Sequence, residues 1–156
     1  MTQVGLCVCL NIYSKNIHMN YSKLTTDFID QIWNNRAFEK LDLFLHPDFR
    51  DYSLPSTLSS DQEGVKSWII STGISFEHHT VIEEQVTEGE KSIIKIRMNL
   101  KHIGIWRDIE TTGTELQTNG YRYFRFKDEK IIEHWALIDG QAIENQLKKV
   151  SHGCDI

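Results

Sequence analysis

The side chain best suited by type and position to do chemistry is Asp139, which follows an apolar strand predicted over residues 131–138. Side chains alternate along a strand, so Asp139 shares a face with Trp135. Beside a large indole in a dry pocket the charged form of a carboxyl group is disfavoured, and such a group can act as a general acid or base near neutral pH. The alternative is structural, because Asp139 stands two residues before Gln141 and could cap the final helix. An enzyme would need this carboxyl buried, reachable by a ligand and free of a capping bond.

The hairpin that leads to Asp139 decides which side chains share its face. A three-residue turn over residues 128–130 places Asn119 opposite Asp139, whereas a two-residue turn would place Thr118 there. We expect the three-residue turn, because its register pairs opposite charges and stacks two aromatic rings across the strands. The pairs in that register are Tyr123 with Trp135 and Arg125 with Glu133, a pair that we expect to be structural.

One face of this hairpin then presents hydroxyl, amide and aromatic groups around a carboxylate: Asn119, Tyr121, Tyr123, Trp135 and Asp139. Such a face suits a concave site for a flat organic ligand. An equally good interpretation is that the tyrosines only fill the inner face of the sheet. His134 lies on the opposite face of its strand from Asp139, and we expect a core or surface role for it.

Other kinds of catalytic site are disfavoured. His78 and His79 are adjacent on a predicted strand, so their side chains point to opposite faces and cannot bind one ion. The sequence has no glycine-rich phosphate loop and no Gly-x-Ser-x-Gly turn. We therefore expect neither a metal site nor a cofactor.

Length, charge and cysteine content exclude several classes of protein. The 156 residues suit a single domain, and 17 basic against 22 acidic residues argue against binding to nucleic acid. The longest apolar stretch near the start, residues 4–10, is too short to span a membrane. No basic residue precedes it and no small-residue cleavage site follows it, so we expect no secretory signal. Cys7, Cys9 and Cys154 are an odd number near the ends, a poor disulfide framework that favours a reducing cytoplasm.

Helical spacing of apolar residues comes first along the chain, and alternation with period two follows. Ser22 is the expected cap of the first helix, and Ser60 starts a capping box before the third. Helices are predicted from Ser22 to Asn34, over 38–45, from Ser60 to Gly73 and over 141–150, and strands over 49–52, 76–86, 92–103, 116–126 and 131–138. Helices first and a four-strand meander last indicate an α+β fold, a curved antiparallel sheet folded around helices.

The ends of the chain differ from the rest. Residues 1–18 carry no acidic residue and no clear period, and we expect a poorly ordered leader there, with an edge strand over residues 4–12 as the alternative. Residues 19–150 then form a single domain, and residues 151–156 a short tail.

Five segments occur in an order and spacing typical of one family. They are residues 28–35, 45–51, 61–65, 102–104 with 112–113, and 130–139, which reads Lys-Ile-Ile-Glu-His-Trp-Ala-Leu-Ile-Asp. From about Leu24 to Leu147 the chain resembles the SnoaL-like polyketide cyclases, also called ester cyclases, of the nuclear-transport-factor-2-like superfamily.

The resemblance implies a cone-shaped α+β fold with one deep pocket, dimers through the outer sheet face, and acid/base chemistry without a cofactor. In characterised cyclases this chemistry is an intramolecular aldol ring closure, and the family's catalytic aspartate would be Asp139. Two departures affect the pocket: Tyr52 stands where the family often has a histidine, and the loop before Thr112 has no proline.

Two functions follow as expectations. In an enzyme, Asp139 would remove a proton next to a carbonyl group of a small hydrophobic or aromatic ligand, and a nearby hydroxyl or amide group would bind the enolate oxygen. The expected ligand contacts are Tyr52, His102, Trp106, Asn119, Tyr121, Tyr123 and Trp135. The alternative is a noncatalytic binding or dimerisation module on the same fold.

The last two expectations concern the oligomeric state and the loop that follows the second long strand. We expect a homodimer through an outer face that carries Arg122, Phe124 and His134. The loop over residues 103–109 has bulky apolar side chains beside a glycine, and it is either a lid over the pocket or a subunit contact.

Overall fold

The computed structural model describes residues 20–151 of the chain. The predicted leader over residues 1–18, its alternative strand, and nearly all of the predicted tail lie outside the described residues. No helix within the described part is long and apolar enough to cross a membrane.

The first helical stretch is α1, Tyr21–Phe28, which continues as a π-helical segment, Ile29–Asn34. Its cap is Asn20, whose side-chain oxygen accepts a hydrogen bond from the Lys23 N–H at 2.9 Å, and not Ser22 as predicted. The wider π turn keeps two adjacent large side chains, Ile32 and Trp33, buried on the sheet side of the helix.

Shorter helical elements and α3 follow. A 3₁₀ turn, Phe38–Lys40, leads into α2, Leu41–Phe44, and α3 covers Gln62–Ser75. The α3 cap is Asp61, one residue after the predicted Ser60, and its carboxylate accepts from the N–H groups of Glu63 and Gly64 at 3.1 and 3.2 Å.

Five strands form one curved sheet in the order β1-β5-β4-β3-β2. They are β1, Leu45–Asp51; β2, Phe76–Glu88; β3, Lys91–His102; β4, Glu115–Lys127; and β5, Lys130–Ile138, followed by α4, Gly140–Ser151. The predicted α+β class and the four-strand antiparallel meander are confirmed. The prediction missed the role of β1, which pairs in parallel with β5 and brings Asp51 level with His134.

The hairpin between β4 and β5 has the predicted register but not the predicted turn. The turn is the two-residue Asp128-Glu129, both at positive φ, which is the geometry of a tight hairpin. A β-bulge next to Arg125 then shifts the pairing by one residue. The shift restores the predicted pairs, Tyr123 with Trp135 and Arg125 with Glu133, the latter an ion pair of 2.8 Å.

The two faces of the hairpin are opposite to the prediction. Arg122, Phe124 and His134 are buried on the inner face, where Phe124 packs edge-on against Phe28 of α1 at 6.0 Å between ring centroids. The helices cover the face that alternates through Leu116, Thr118, Arg122, Phe124 and Phe126, because it carries the greater apolar area to bury. The predicted outer face for dimerisation is therefore wrong as to its residues.

Candidate active site

A cavity of about 360 Å³ lies between the inner face of the sheet, α3 and the start of α4. Most of its wall is aromatic or aliphatic, which is typical of a site for a small organic molecule. The apolar wall residues are Trp33, Trp68, Phe76, Met98, Leu100, Trp106, Ile138 and Ile143. A second recess of about 250 Å³ shares Trp33, Trp68, Arg122 and Ile138 with this cavity.

The second recess contains a buried histidine–carboxylate pair. Asp51 ends β1, and the parallel pairing with β5 places it beside His134, so that Nδ1 of the imidazole lies 2.7 Å from Asp51 Oδ2. The other carboxylate oxygen accepts from the backbone N–H and hydroxyl of Ser53 at 2.8 and 2.5 Å. Both side chains are 2% exposed or less. Asp51 is thus held in one orientation and in turn fixes the imidazole ring.

The contacts of His134 indicate where its proton lies. Its Nε2 is 3.4 Å from Nη1 of Arg122, and because a guanidinium group only donates, Nε2 must present its lone pair. Nδ1 then carries the proton and donates a hydrogen bond to Asp51. This is the tautomer in which a carboxylate orients an imidazole and leaves Nε2 as the base.

The protonation states fit the same arrangement. Burial lowers the pKa of His134, and Arg122 adds to this effect, while the hydrogen bond to Asp51 opposes it. Burial raises the pKa of Asp51, but the hydrogen bonds from His134 and Ser53 outweigh it, so the pKa falls below its ordinary value. At neutral pH the pair is therefore a neutral imidazole against an ionised carboxylate.

Arg122 supplies the positive charge of the site. Its guanidinium carbon lies 3.6 Å from the centre of the Trp33 ring, a stacked cation–π contact. Burial lowers its pKa to about 10, with Asp51 acting in the opposite direction, so the group stays protonated at neutral pH. Its Nε has no hydrogen-bond partner among residues 20–151.

Asp139 lies outside the cavity. Its side chain is exposed, and its Oδ1 accepts a hydrogen bond from the backbone N–H of Ala142 at 2.9 Å, in the first turn of α4. Two of the three conditions for a catalytic Asp139, burial and freedom from a capping bond, are therefore not met. The geometry corresponds to the capping alternative, because a carboxylate before a helix satisfies one of the free N–H groups of its first turn.

Most of the predicted ligand contacts are also on the outer face. Tyr52, Tyr121 and Trp135 are 56%, 51% and 37% exposed, and the exposed Asn119 lies on the same side. The Tyr52 and Trp135 rings stack at 4.6 Å between centroids, and Tyr123 packs against the same indole at 5.4 Å. These side chains form an aromatic cluster on the surface of the sheet, so they do not line the pocket as predicted.

The two remaining predicted contacts are inside. Trp106 lines the cavity, as expected, and its ring meets Phe76 edge-on at 5.5 Å. His102 is fully buried behind Phe76, and its Nδ1 accepts from the Thr112 N–H at 3.3 Å. His102 therefore anchors the loop that carries Trp106 and is not part of the cavity wall.

Sequence reasoning missed Asp51, Arg122 and His134 as a site. The sequence pattern did point to two of them. Arg122 alternates with Phe124 and Phe126 on the apolar face of β4, and His134 lies on the same face of the neighbouring strand. A charged or ionisable residue in the apolar phase of a strand must be buried with a partner. Nothing local in the sequence joins Asp51 to His134.

A family model described as SnoaL-like polyketide cyclase matches residues 23–147. Among solved structures, TsrD from Streptomyces laurentii is 20% identical and covers 81% of this chain and 93% of its own, with a TM-score of 0.70. IdmH from Streptomyces antibioticus is 20% identical, with a TM-score of 0.74 over 83% of this chain and 99% of its own.

A SnoaL-like polyketide cyclase from Agrobacterium tumefaciens is 18% identical, with a TM-score of 0.67 over 81% of this chain and 96% of its own. A search of curated protein sequences finds no significant match. At these identities the structural matches show a common fold.

Proposed function

The chain belongs to the SnoaL-like polyketide cyclase family, and we propose that it catalyses acid/base chemistry, without a cofactor, at a carbon next to a carbonyl group. In this proposal the base is His134, not Asp139. The observation that carries it is the hydrogen-bonded Asp51–His134 pair, which leaves the Nε2 lone pair on the side of Arg122. The recess that contains this pair shares four wall residues with the apolar cavity.

The reaction follows from the positions of these groups. Nε2 of His134 takes a proton from the carbon, and the C–H electron pair moves into the carbonyl group to give an enolate. The guanidinium of Arg122 stabilises the negative oxygen. The enolate carbon attacks a second carbonyl carbon of the same molecule, and the resulting alkoxide takes the proton back from Nε2. Atoms and charges balance, and the ligand gains one ring.

The basicity of His134 restricts how weakly acidic the reacting C–H group of the ligand can be. The pKa of His134 lies below its ordinary value, so the neutral imidazole is a weak base. It suits a C–H group that is activated twice, by a carbonyl group and by a ring or second carbonyl. Nη1 of Arg122 is 3.4 Å from Nε2 of His134, which is longer than a strong hydrogen bond. A ligand that reaches Nε2 therefore replaces only a weak contact with Arg122.

The test uses 2-tetralone, a flat bicyclic ketone whose C1–H group is activated by both the carbonyl group and the ring. Deuterium exchange at C1 is followed by NMR in D₂O with the wild-type protein, His134→Gln and Asp139→Asn. We expect exchange above the buffer rate that falls by ~10²-fold or more in His134→Gln, the usual size of a general-base contribution. Asp139→Asn should retain it.

Two results would contradict the proposal. Exchange at the buffer rate with the wild-type protein would leave the noncatalytic binding module as the better function. Loss of exchange in Asp139→Asn together with its retention in His134→Gln would return the base to the position expected from the family resemblance.

We further propose a homodimer, through the outer sheet face with the residues that the structure exposes there. Trp135 and Leu137 of β5, 37% and 75% exposed, continue the aromatic cluster of Tyr52 and Tyr121. An apolar patch of this kind on an open sheet suits a self-complementary contact. The cytoplasm remains the proposed location, on the cysteine pattern alone.

A further inference from the structure

Arg122 is a buried cation on a largely apolar wall. It is 2% exposed, lines both the cavity and the recess, and stacks on Trp33. A guanidinium group has five N–H donors, and the described residues accept only from Nη1, through the long contact to His134. Nε, which is buried, is left without a protein acceptor within residues 20–151. A buried donor edge of this kind is costly unless something accepts from it.

The charge around Arg122 is also incompletely balanced. Asp51 is bonded to His134 and Ser53, so the imidazole separates its carboxylate from the guanidinium. Burial lowers the pKa of the nearby His78, and the positive charges of Arg36 and Arg122 lower it further. The isolated protein therefore holds a cation in low-dielectric surroundings with no directly bonded counter-ion among its described residues.

We propose that the ligand of the cavity is an anion: a flat aromatic or cyclic carboxylate whose carboxylate group binds the free edge of Arg122. Its ring system packs between Trp68 and Trp106 on the apolar wall of the larger cavity. The proposal extends the proposed function by naming the substrate class, and it rests on that function only for the location of the site.

The geometry of arginine supports a carboxylate in particular. The planar fork of Nε and Nη2 matches the two oxygens of a carboxylate, so both hydrogen bonds form in one plane. Nη1 stays beside Nε2 of His134, next to the carbon at which the base acts. One guanidinium can thus hold a carboxylate at one edge and stabilise an enolate oxygen at another. The volume of about 360 Å³ is within the usual range for sites of small organic molecules.

The test compares two isosteric probes, 2-naphthoate and 2-naphthamide, which differ in charge but hardly in shape. Binding to the wild-type protein is measured by calorimetry at pH 7. We expect naphthoate to bind at least about tenfold more tightly, the size of effect that a hydrogen bond to a charged group gives. Equal affinity, tighter binding of the amide, or no binding of naphthoate at millimolar concentration would each overturn the proposal.

Variants locate the charge. Arg122→Gln should remove the preference for naphthoate over naphthamide, whereas Arg107→Gln should keep it. Arg107 is the matched control, because it lines the same cavity but is exposed and paired with Glu144 at 2.9 Å. Loss of the preference in Arg107→Gln alone would overturn the assignment to Arg122. If Arg122→Gln does not fold, the preference of the wild-type protein and its retention in Arg107→Gln decide together.

The outcomes separate this proposal from the proposed function. A preference for naphthoate that depends on Arg122, without exchange of 2-tetralone, would contradict the catalytic role of His134 and support the anion site. Exchange that depends on His134, with equal affinity for the two naphthalene probes, would support the catalytic role of His134 and contradict the anion site.

Discussion

Replacement of Asp51 by asparagine keeps the shape of the side chain and removes one acceptor that the fold requires. Asp51 accepts three hydrogen bonds, from His134 Nδ1 at 2.7 Å and from the N–H and hydroxyl of Ser53 at 2.8 and 2.5 Å. If the amide oxygen faces Ser53, its NH₂ group faces Nδ1, and the imidazole proton must move to Nε2, against Arg122. If the NH₂ group faces Ser53, the Ser53 N–H loses its acceptor.

Either orientation sets one buried donor against another. An unsatisfied buried donor costs about 1–3 kcal/mol, and a hydrogen bond to a charged group contributes roughly 1.5–3 kcal/mol. We expect Asp51→Asn to lower the free energy of unfolding by about 3 kcal/mol, which corresponds to a Tm lower by roughly 6–12 °C in a domain of this size. Exchange of 2-tetralone should fall by ~10²-fold or more. In one orientation of the amide Nε2 carries the proton, and in the other the neutral amide no longer stabilises the imidazolium that forms when His134 takes a proton.

The assay is urea unfolding at pH 7, followed by circular dichroism, together with the exchange rate of the same preparations. Asp61→Asn is the matched control, because Asp61 is the cap of α3 and asparagine caps a helix about as well as aspartate. It should change stability by a few tenths of a kcal/mol at most. A loss below about 1 kcal/mol in Asp51→Asn, with exchange intact, would refute the reasoning about the buried pair.

Three further predictions concern other parts of the molecule. Asp139→Asn should keep the helix cap, change stability by only a few tenths of a kcal/mol and leave exchange unchanged; a tenfold loss of exchange would contradict the capping role. Leu137→Lys, on the outer sheet face, should convert a dimer to a monomer in sedimentation velocity at micromolar concentration, whereas Leu43→Lys on α2 should not; a wild-type monomer would contradict the proposed dimer. Burial and nearby arginines lower the pKa of His78 to about 4, below its ordinary value of 6.5. As the pH falls, the histidine is therefore protonated in the unfolded chain before it is protonated in the folded protein. The free energy of unfolding should decrease as the pH drops from about 6.5 toward 4. Urea unfolding at pH 7 and 4.5 should show that His78→Gln recovers about 2–3 kcal/mol of the acid loss. An unchanged acid loss in His78→Gln would count against this assignment.

Much of the fold could be predicted because its signals are local. Period-two alternation marks the four long strands to within two residues of their observed bounds. The pairing of Arg125 with Glu133 was predicted through charge complementarity, although the assumed turn was one residue too long. A β-bulge compensates for the shorter turn, and nothing in the residue types at the turn distinguishes the two solutions, because both keep the same pairs beyond it.

The assignment of faces failed for a different reason. The hairpin has aromatic residues in both phases, with Tyr121 and Tyr123 in one and Phe124 and Phe126 in the other. The charge of Arg122 in the second phase made that phase look external. In the structure Arg122 is retained inside by stacking on Trp33 and by contact with His134, which a pattern of hydropathy along one strand does not encode.

The site itself depends on a long-range pairing. Asp51 and His134 are 83 residues apart, and they meet because β1 joins β5 in parallel at the edge of the sheet. A strand as short as β1, interrupted by Pro47, gives a weak local signal and no indication of its partner. Asp139, by contrast, could be seen as a helix cap from its spacing to Gln141, the alternative that the structure supports.

The most direct measurement of the central claim, that the imidazole of His134 is the base, is chemical rescue. His134→Ala leaves a space beside Asp51 that free imidazole can fill, oriented by the same carboxylate. Deuterium exchange at C1 of 2-tetralone should fall in His134→Ala and recover with added imidazole along a saturating curve. The recovery should vanish when Asp51→Asn is combined with it. Wild-type exchange in His134→Ala, or a response to imidazole no larger than in buffer without protein, would contradict the claim.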